Sequence, residues 1–326
     1  NVTSGALIDF VVLETMFPTT ASAHYFLMDL CLNDDKNVAF YSYSYLATGN
    51  NSFSHKVLIT ANTLTLGTPI STNVNTPRGI VFKDKAGTEV TYLTVDASAH
   101  STQTVVGIIK YNWGGTSIQW TKDDDDTTTT QIVSKPAIAT DGTIYYVRGK
   151  TTDATDLTLI AITDNGSSYS DKWTTPLDLP DTTNVNYRPN KEAGFHNSPV
   201  IGKDGLIYLS TPNKDALNAN FFVIQDNTTS GLIIRSTKVD FTSATRYMYG
   251  PPTIGNNSII YVSVLETNGG NAPYIYLLGA PVATTTTTTP SADNSSSSSS
   301  EENPEFTNEE LEAQALESVS ITVTIV

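Results

Sequence analysis

The sequence predicts an all-β chain: a β-propeller of about five four-stranded blades, then a low-complexity tether rich in Thr and Ser, and last a C-terminal β-strand. Three observations lead there. A Pro-to-Tyr segment with a turn signal in its middle recurs three times in register. Short β-branched and aromatic runs recur between turn residues over most of the chain. The last nine residues alternate polar and apolar side chains without a break.

The three repeats are Pro136-Ala-Ile-Ala-Thr-Asp141-Gly142-Thr-Ile-Tyr145, Pro199-Val-Ile-Gly-Lys-Asp204-Gly205-Leu-Ile-Tyr208 and Pro252-Thr-Ile-Gly-Asn-Asn257-Ser258-Ile-Ile-Tyr261. Each reads as a short strand, a tight turn and a second strand. Asp-Gly supplies the positive φ that a two-residue hairpin turn needs, and Asn-Ser is a weaker form of the same chemistry. A third apolar strand follows at 157–162, 221–224 and 274–278, and in the first two units a fourth lies near Trp173 and at 232–234. Four antiparallel strands per unit make a propeller blade. Two weaker units precede these, over residues 22–70 and 76–121, with the Pro, Asp-Gly and Tyr skeleton degraded but the strand spacing kept.

The fifth unit supplies three strands and stops at Ala280-Pro281. A ring of blades must close, so residues 5–14, a strand-length apolar run, are expected to complete the last blade from the N-terminus. The folded domain is thus 1–280. Residues 281–305 form an acidic linker with six consecutive Thr and six consecutive Ser, a composition that cannot bury apolar surface. Residues 281–326 hold eight acids and neither Lys nor Arg, which leaves −7 of the net charge of −15 to residues 1–280.

Residues 306–326 read as a short helix, opened by the capping-box pattern Thr307-Asn-Glu-Glu310, and a donor-type strand in which Val319, Ile321, Val323 and Ile325 share one face. An isolated amphipathic strand on a polar tether needs a groove. A flexible tether of this length spans about 30 Å root-mean-square, enough to reach a neighbouring copy. Docking on its own propeller stays open as the alternative.

Ser198-Pro199-Val200-Ile201-Gly202-Lys203-Asp204-Gly205-Leu206-Ile207-Tyr208 resembles the repeat of quinoprotein-like propellers, the PQQ-repeat superfamily. The resemblance covers about residues 76–280 and is clear in three units. It implies the propeller fold, and it spans dehydrogenases, assembly scaffolds and surface proteins, so it implies no single activity. The quinone-binding enzymes of that family set a vicinal disulfide over the cofactor, which the single Cys31 cannot form. No cofactor is expected.

Other chemistry is weighed residue by residue. The acidic balance argues against nucleic acid as a partner, and no apolar run is long enough to span a bilayer. His24, His55, His100 and His196 are scattered without metal-ligand spacing. Asp123-Asp124-Asp125-Asp126 reads as a solvated inter-blade turn, with a weak calcium site as the alternative. Asp141-Gly142 and Asp204-Gly205 share only Asp and Gly with sialidase Asp-boxes and are read as turns. Trp113, Trp120 and Trp173 are expected to pack between blades rather than to form a sugar platform. No nucleophile elbow or phosphate loop occurs, and no catalytic role is expected.

Six acceptor triplets for N-glycosylation occur at Asn1, Asn50, Asn165, Asn227, Asn256 and Asn294, most of them in expected turns. With a start at Asn1 that fits a chain whose leader has been removed, the expectation is a secreted, glycosylated structural subunit. It would polymerise with itself through the C-terminal strand into an extracellular filament or surface assembly. The alternative is a monomeric extracellular propeller that binds glycans or a protein partner as an adhesin does. A degenerate quinoprotein or hydrolase is a third reading.

Overall fold

In the computed structural model, the described residues are 22 strands and their closely adjoining turns between residues 25 and 278, with side chains described in segments from Lys83 to Val262. Residues 1–24 and 279–326 lie outside them, as do the longer interstrand loops such as 96–105, 113–116, 151–156 and 178–197. The expected closing strand at 5–14, the tether and the terminal strand with Val319, Ile321, Val323 and Ile325 therefore lie outside the described residues.

The strands form five antiparallel sheets that follow one another along the chain. The first contains β1 (Tyr25–Leu32), β2 (Val38–Tyr45), β3 (Asn51–Thr60) and β4 (Thr63–Leu66), with β5 (Ile70–Ser71) paired to β3. The second contains β6 (Arg78–Lys83), β7 (Glu89–Val95), β8 (Gly107–Asn112) and β9 (Ile118–Asp123). In the third, β10 (Thr130–Ile132) and β11 (Ala137–Ile138) both pair with β12 (Thr143–Lys150), followed by β13 (Leu157–Asp164) and β14 (Tyr169–Pro176). The fourth runs β15 (Val200–Ile201), β16 (Ile207–Pro212), β17 (Asn218–Asp226) and β18 (Gly231–Asp240). In the fifth, β19 (Arg246–Met248) and β20 (Thr253–Ile254) pair with β21 (Ile260–Glu266), which pairs with β22 (Ala272–Leu278). The all-β expectation and the strand placement hold over these segments, and no helix occurs among the described residues. None of the sheets is closed on itself.

The third sheet shows why its strands are nearly continuous apolar runs. Tyr145, Val147, Leu157, Leu159 and Ala161 pack against Ile207, Leu209, Phe222 and Ile224 of the fourth sheet. The intervening residues Ile144, Tyr146, Ile160 and Ile162 pack the other way, against Val90, Tyr92, Val106 and Ile108 of the second. Strand side chains point alternately to opposite faces, so a sheet covered on both faces needs an apolar residue at every step. Each such fully buried Ile or Leu contributes about 1.5–3 kcal/mol. The result is face-to-face stacking of successive sheets, as in a propeller.

The turns differ from expectation in one detail. Ala139 donates its N–H to Thr143 O at 2.8 Å and Gly142 donates to Ala139 O at 3.0 Å, and Gly202 and Gly205 repeat the pattern at 2.9 and 3.0 Å. The loop therefore has three residues rather than two. Only its glycine takes a positive φ, +87° at Gly142 and +78° at Gly205, as in a type I turn followed by a left-handed residue. The aspartate is retained for another reason: Asp141 Oδ1 accepts the Thr143 N–H at 2.8 Å, and Asp204 Oδ1 accepts that of Leu206 at 3.1 Å.

Phe222 is fully enclosed between the third and fourth sheets. Phe222→Ala is expected to cost about 3–5 kcal/mol, whereas Leu232→Ala, on the exposed outer strand, should stay within about 0.5 kcal/mol, both measured by denaturant unfolding.

Candidate functional site

Two aspartates, each at the end of a third strand, reach back into the preceding sheet. Asp164 closes β13. Its Oδ2 accepts the Tyr92 hydroxyl at 2.6 Å and the Lys110 ammonium at 2.7 Å, and its Oδ1 accepts the Trp120 indole N–H at 3.0 Å. Asp226 closes β17. Its Oδ2 accepts the Tyr145 hydroxyl at 2.6 Å and Lys172 at 2.7 Å, and its Oδ1 accepts the Trp173 indole at 3.0 Å. The same three donor types meet the same two oxygens at the two seams.

Local sequence explains the placement. Asp164-Asn165-Gly166 and Asp226-Asn227-Thr228 each open the hairpin to the fourth strand. Asp164 Oδ1 accepts the Gly166 N–H at 3.0 Å and Asp226 Oδ1 that of Thr228 at 2.7 Å, which orients each carboxylate from within its own turn. Gly166 and Thr228 both have positive φ, +89° and +71°. A β-bulge in each fourth strand, opposite Lys110/Tyr111 and Ala161/Ile162, turns the Trp toward the seam. Lys172 is the extra residue of its bulge, whereas Lys110 comes from β8.

Lys110 is 1% exposed and completes three hydrogen bonds: to Asp164, to Asp84 Oδ2 at 3.2 Å and to Gly166 O at 2.9 Å. Three acceptors match the three protons of an ammonium group. Burial, then the bond to Asp164, pushes the Tyr92 phenol far above its ordinary pKa, and Tyr145 is raised for the same reasons beside Asp226. Burial alone would raise the Asp226 pKa. The bonds from Lys172, Tyr145 and Trp173 outweigh it and bring it below the ordinary carboxylate value.

The acidic run overturns its expected solvated reading at one position. Asp124 is 6% exposed, paired with Lys122 and bonded by the Tyr146 hydroxyl from the third sheet. Lys122 also lies 3.3 Å from Asp171. Burial opposes the Lys122 charge, but the two carboxylates raise its pKa. Among the described residues no group of three or more His, Cys, Asp or Glu is arranged to hold a metal ion. Asp125 and Asp126 lie outside the described residues, as do Trp113, His24, His100 and His196, and the His55 side chain.

Trp120 and Trp173 pack between sheets, as expected. The Trp120 ring meets Tyr169 at 5.3 Å between centroids, and Trp173 lies so close to Gly231 that a Cβ there would sit 2.6 Å from the indole. Of the glycosylation candidates, Asn165 and Asn227 sit exposed on the two aspartate hairpins, whereas Asn1, Asn50, Asn256 and Asn294 lie outside the described residues. Sequence reasoning missed Asp164 and Asp226. Their signal is Asp-Asn-x-x-Ser, found at 164–168 and 226–230, in step with the Tyr repeat.

The seam between the fourth and fifth sheets is different: a cavity of about 600 Å³ opens there, lined by Tyr208, Asp204 and Lys203 on one side and by Pro251, Pro252 and Ile254 on the other.

No family model matches the sequence, and no curated protein matches it. Among solved structures, the chain is similar to a protein of unknown function from Dyadobacter fermentans, with TM-score 0.53, 10% identity and 79% of each chain covered. It is more distantly similar to a candidate 6-phosphogluconolactonase from Bacteroides uniformis, with TM-score 0.47, 10% identity and 78% of this chain covered against 68% of that one. A candidate oxidoreductase of the glucose dehydrogenase type from Thermus thermophilus gives TM-score 0.42, 10% identity and coverage of 71% and 73%. Likeness at such identity describes a fold and carries no activity.

Because the Asp226 pKa is lowered in the folded chain, its seam contributes stability that is full above the ordinary carboxylate range and is lost as pH falls through the lowered value. Asp226→Asn should reduce the melting temperature at pH 7, and the gap between variant and parent should narrow toward zero as melting is repeated down to strongly acid pH.

Proposed function

We propose that the chain is a secreted structural subunit, built as a propeller of about five blades, that polymerises by donating residues 318–326 to a sheet edge of a neighbouring copy. The observation that carries this reading is the lateral count of strands. The first four sheets each end on a fourth strand (β4, β9, β14 and β18), whereas β22 occupies the third position of the fifth sheet and has no outer neighbour among the described residues. An unpaired edge presents a row of backbone donors and acceptors to whatever strand arrives. Tyr261, on the middle strand of that sheet, is 38% exposed, whereas Tyr92 and Tyr145 at the matching position of the second and third sheets are 1% and 3% exposed. Among the described residues, the fifth sheet thus combines a third strand without an outer neighbour and a more exposed Tyr261.

Two segments compete for that edge, residues 5–14 of the same chain and residues 318–326 of another. When the first closes the ring, the second adds to a neighbour beyond it. Glycans on Asn165 and Asn227 would stand clear of both seams, since the exposed side of each hairpin carries the asparagine. Among the described residues no helix is long and apolar enough to cross a membrane. The proposal assigns no catalytic step.

Deleting residues 318–326 should give monomers by light scattering while leaving the melting temperature unchanged, and Ile321→Asp combined with Val323→Asp should act alike. Polymers formed by the truncated chain would remove the proposed mechanism.

A further inference from the structure

Beside the cavity at the last described seam, the sequence differs in three ways from the seam before it. At the seam between the third and fourth sheets, Tyr145 crosses to Asp226, two residues beyond Ile224, the partner of Ile207. The matching position in the fifth sheet is two residues beyond Leu278, the partner of Ile260, and the sequence places Ala280 there. No carboxylate is supplied at that position. The residue matching Trp173, opposite the same third-strand site, is Arg235. Tyr208, which matches Tyr145, therefore loses its partner across the seam and turns back: its hydroxyl donates to Asp204 Oδ2 of its own hairpin at 2.6 Å.

The third difference lets it do so. A Cβ on Gly202 would sit 2.3 Å from Asp204 Oδ1 and 2.8 Å from Tyr208 Cε2. The matching residue of the third sheet is Ala139, whose Cβ occupies that position. Glycine at 202 is what allows the phenol ring and the carboxylate to fold together over the backbone.

We propose that this cleft binds a neutral sugar residue, stacked on the face of Tyr208 and held through its hydroxyls by Asp204. The cavity of about 600 Å³ falls within the range of small-ligand sites, about 300–1,000 Å³. Its walls combine an aromatic ring with Pro251, Pro252 and Ile254, which suit the C–H face of a pyranose. Asp204 accepts one bond on each oxygen, from Leu206 N–H and Tyr208 O–H, and each oxygen keeps a lone pair for an incoming hydroxyl. Burial and the bond to Asp204 hold the Tyr208 phenol up at about 12, so it stays protonated and its oxygen remains an acceptor. An anion would find Lys203 but also Asp204 in the same wall, and a hard cation would find one carboxylate where several oxygens are needed. A polyol can donate to Asp204 and lay its C–H face on Tyr208 and the prolines.

This site is independent of strand donation. The test is calorimetric titration of the full-length chain with methyl glycosides of glucose, galactose, mannose and N-acetylglucosamine, with inorganic phosphate and a proline-rich peptide as competing probes. At least one glycoside should bind. Tyr208→Ala, Asp204→Asn and Gly202→Ala should each weaken it by about tenfold or more, in chains that still melt in a single cooperative transition. Lys203→Ala should change it by less than about twofold. The chain lacking residues 318–326 should bind as the full-length chain does. No glycoside binding, binding indifferent to Tyr208 and Asp204, or preferential binding of phosphate or peptide would each overturn the proposal.

Discussion

One carboxylate at each inner seam holds successive sheets in register. Asp164 and Asp226 each take a tyrosine, an indole and an ammonium from the sheet before, and each is oriented by an N–H of its own turn. A buried ion pair adds little net stability once desolvation is counted. Its strength lies in what misalignment would leave behind: sliding one sheet by a strand position would strand a carboxylate and three donors without partners, at about 1–3 kcal/mol or more for each. Apolar packing such as Phe222 against Leu159 tolerates small shifts, whereas this network accepts one arrangement. Stacking therefore comes from the hydrophobic faces, and register from the aspartates.

Much of the fold was legible because its signals are local. The Pro-to-Tyr skeleton marks β11–β12, β15–β16 and β20–β21, and the apolar runs after it mark β13, β17 and β22. The turns were legible as turns but not in length, since Asp-Gly is compatible with two or three residues and only the backbone bonds decide. Asp164 and Asp226 were not legible. An aspartate before Asn at a hairpin looks solvated, and its partners are 44 to 81 residues away in sequence. Asp124 was misjudged for a related reason. A run of four acids suggests repulsion and solvent, yet Lys122 stands two residues before Asp124 near the end of β9 and Tyr146 arrives from the next sheet to cover it. Trp120 and Trp173 were placed correctly because a large ring has few other places to go in stacked sheets.

Repetition also makes the exceptions informative. Tyr92, Tyr145 and Tyr208 occupy one position in three successive sheets, and the fate of each is set by what the following sheet supplies. Where it supplies an aspartate, the phenol crosses and the seam is closed. At the next seam Tyr208 bonds to Asp204 of its own hairpin, Gly202 makes room for it, and a cleft opens between Tyr208 and Pro251, Pro252 and Ile254. The repeat unit thus acts as scaffold where it is regular and offers surface where it lapses.

The same logic bears on the fifth sheet's outer edge. β22 begins Ala272-Pro273, and Pro273 has no N–H to give to any strand. Proline near the start of a strand is a usual way to blunt an edge. Residues 318–326 have no proline, and their polar-apolar alternation sets which face would turn toward the sheet stack and which toward solvent. A one-residue slip would exchange those faces and put Ser and Thr against the apolar side. In the proposed joint, the incoming strand rather than the edge would set the register. An edge that specifies little and a strand that specifies much suit a joint made repeatedly between identical copies.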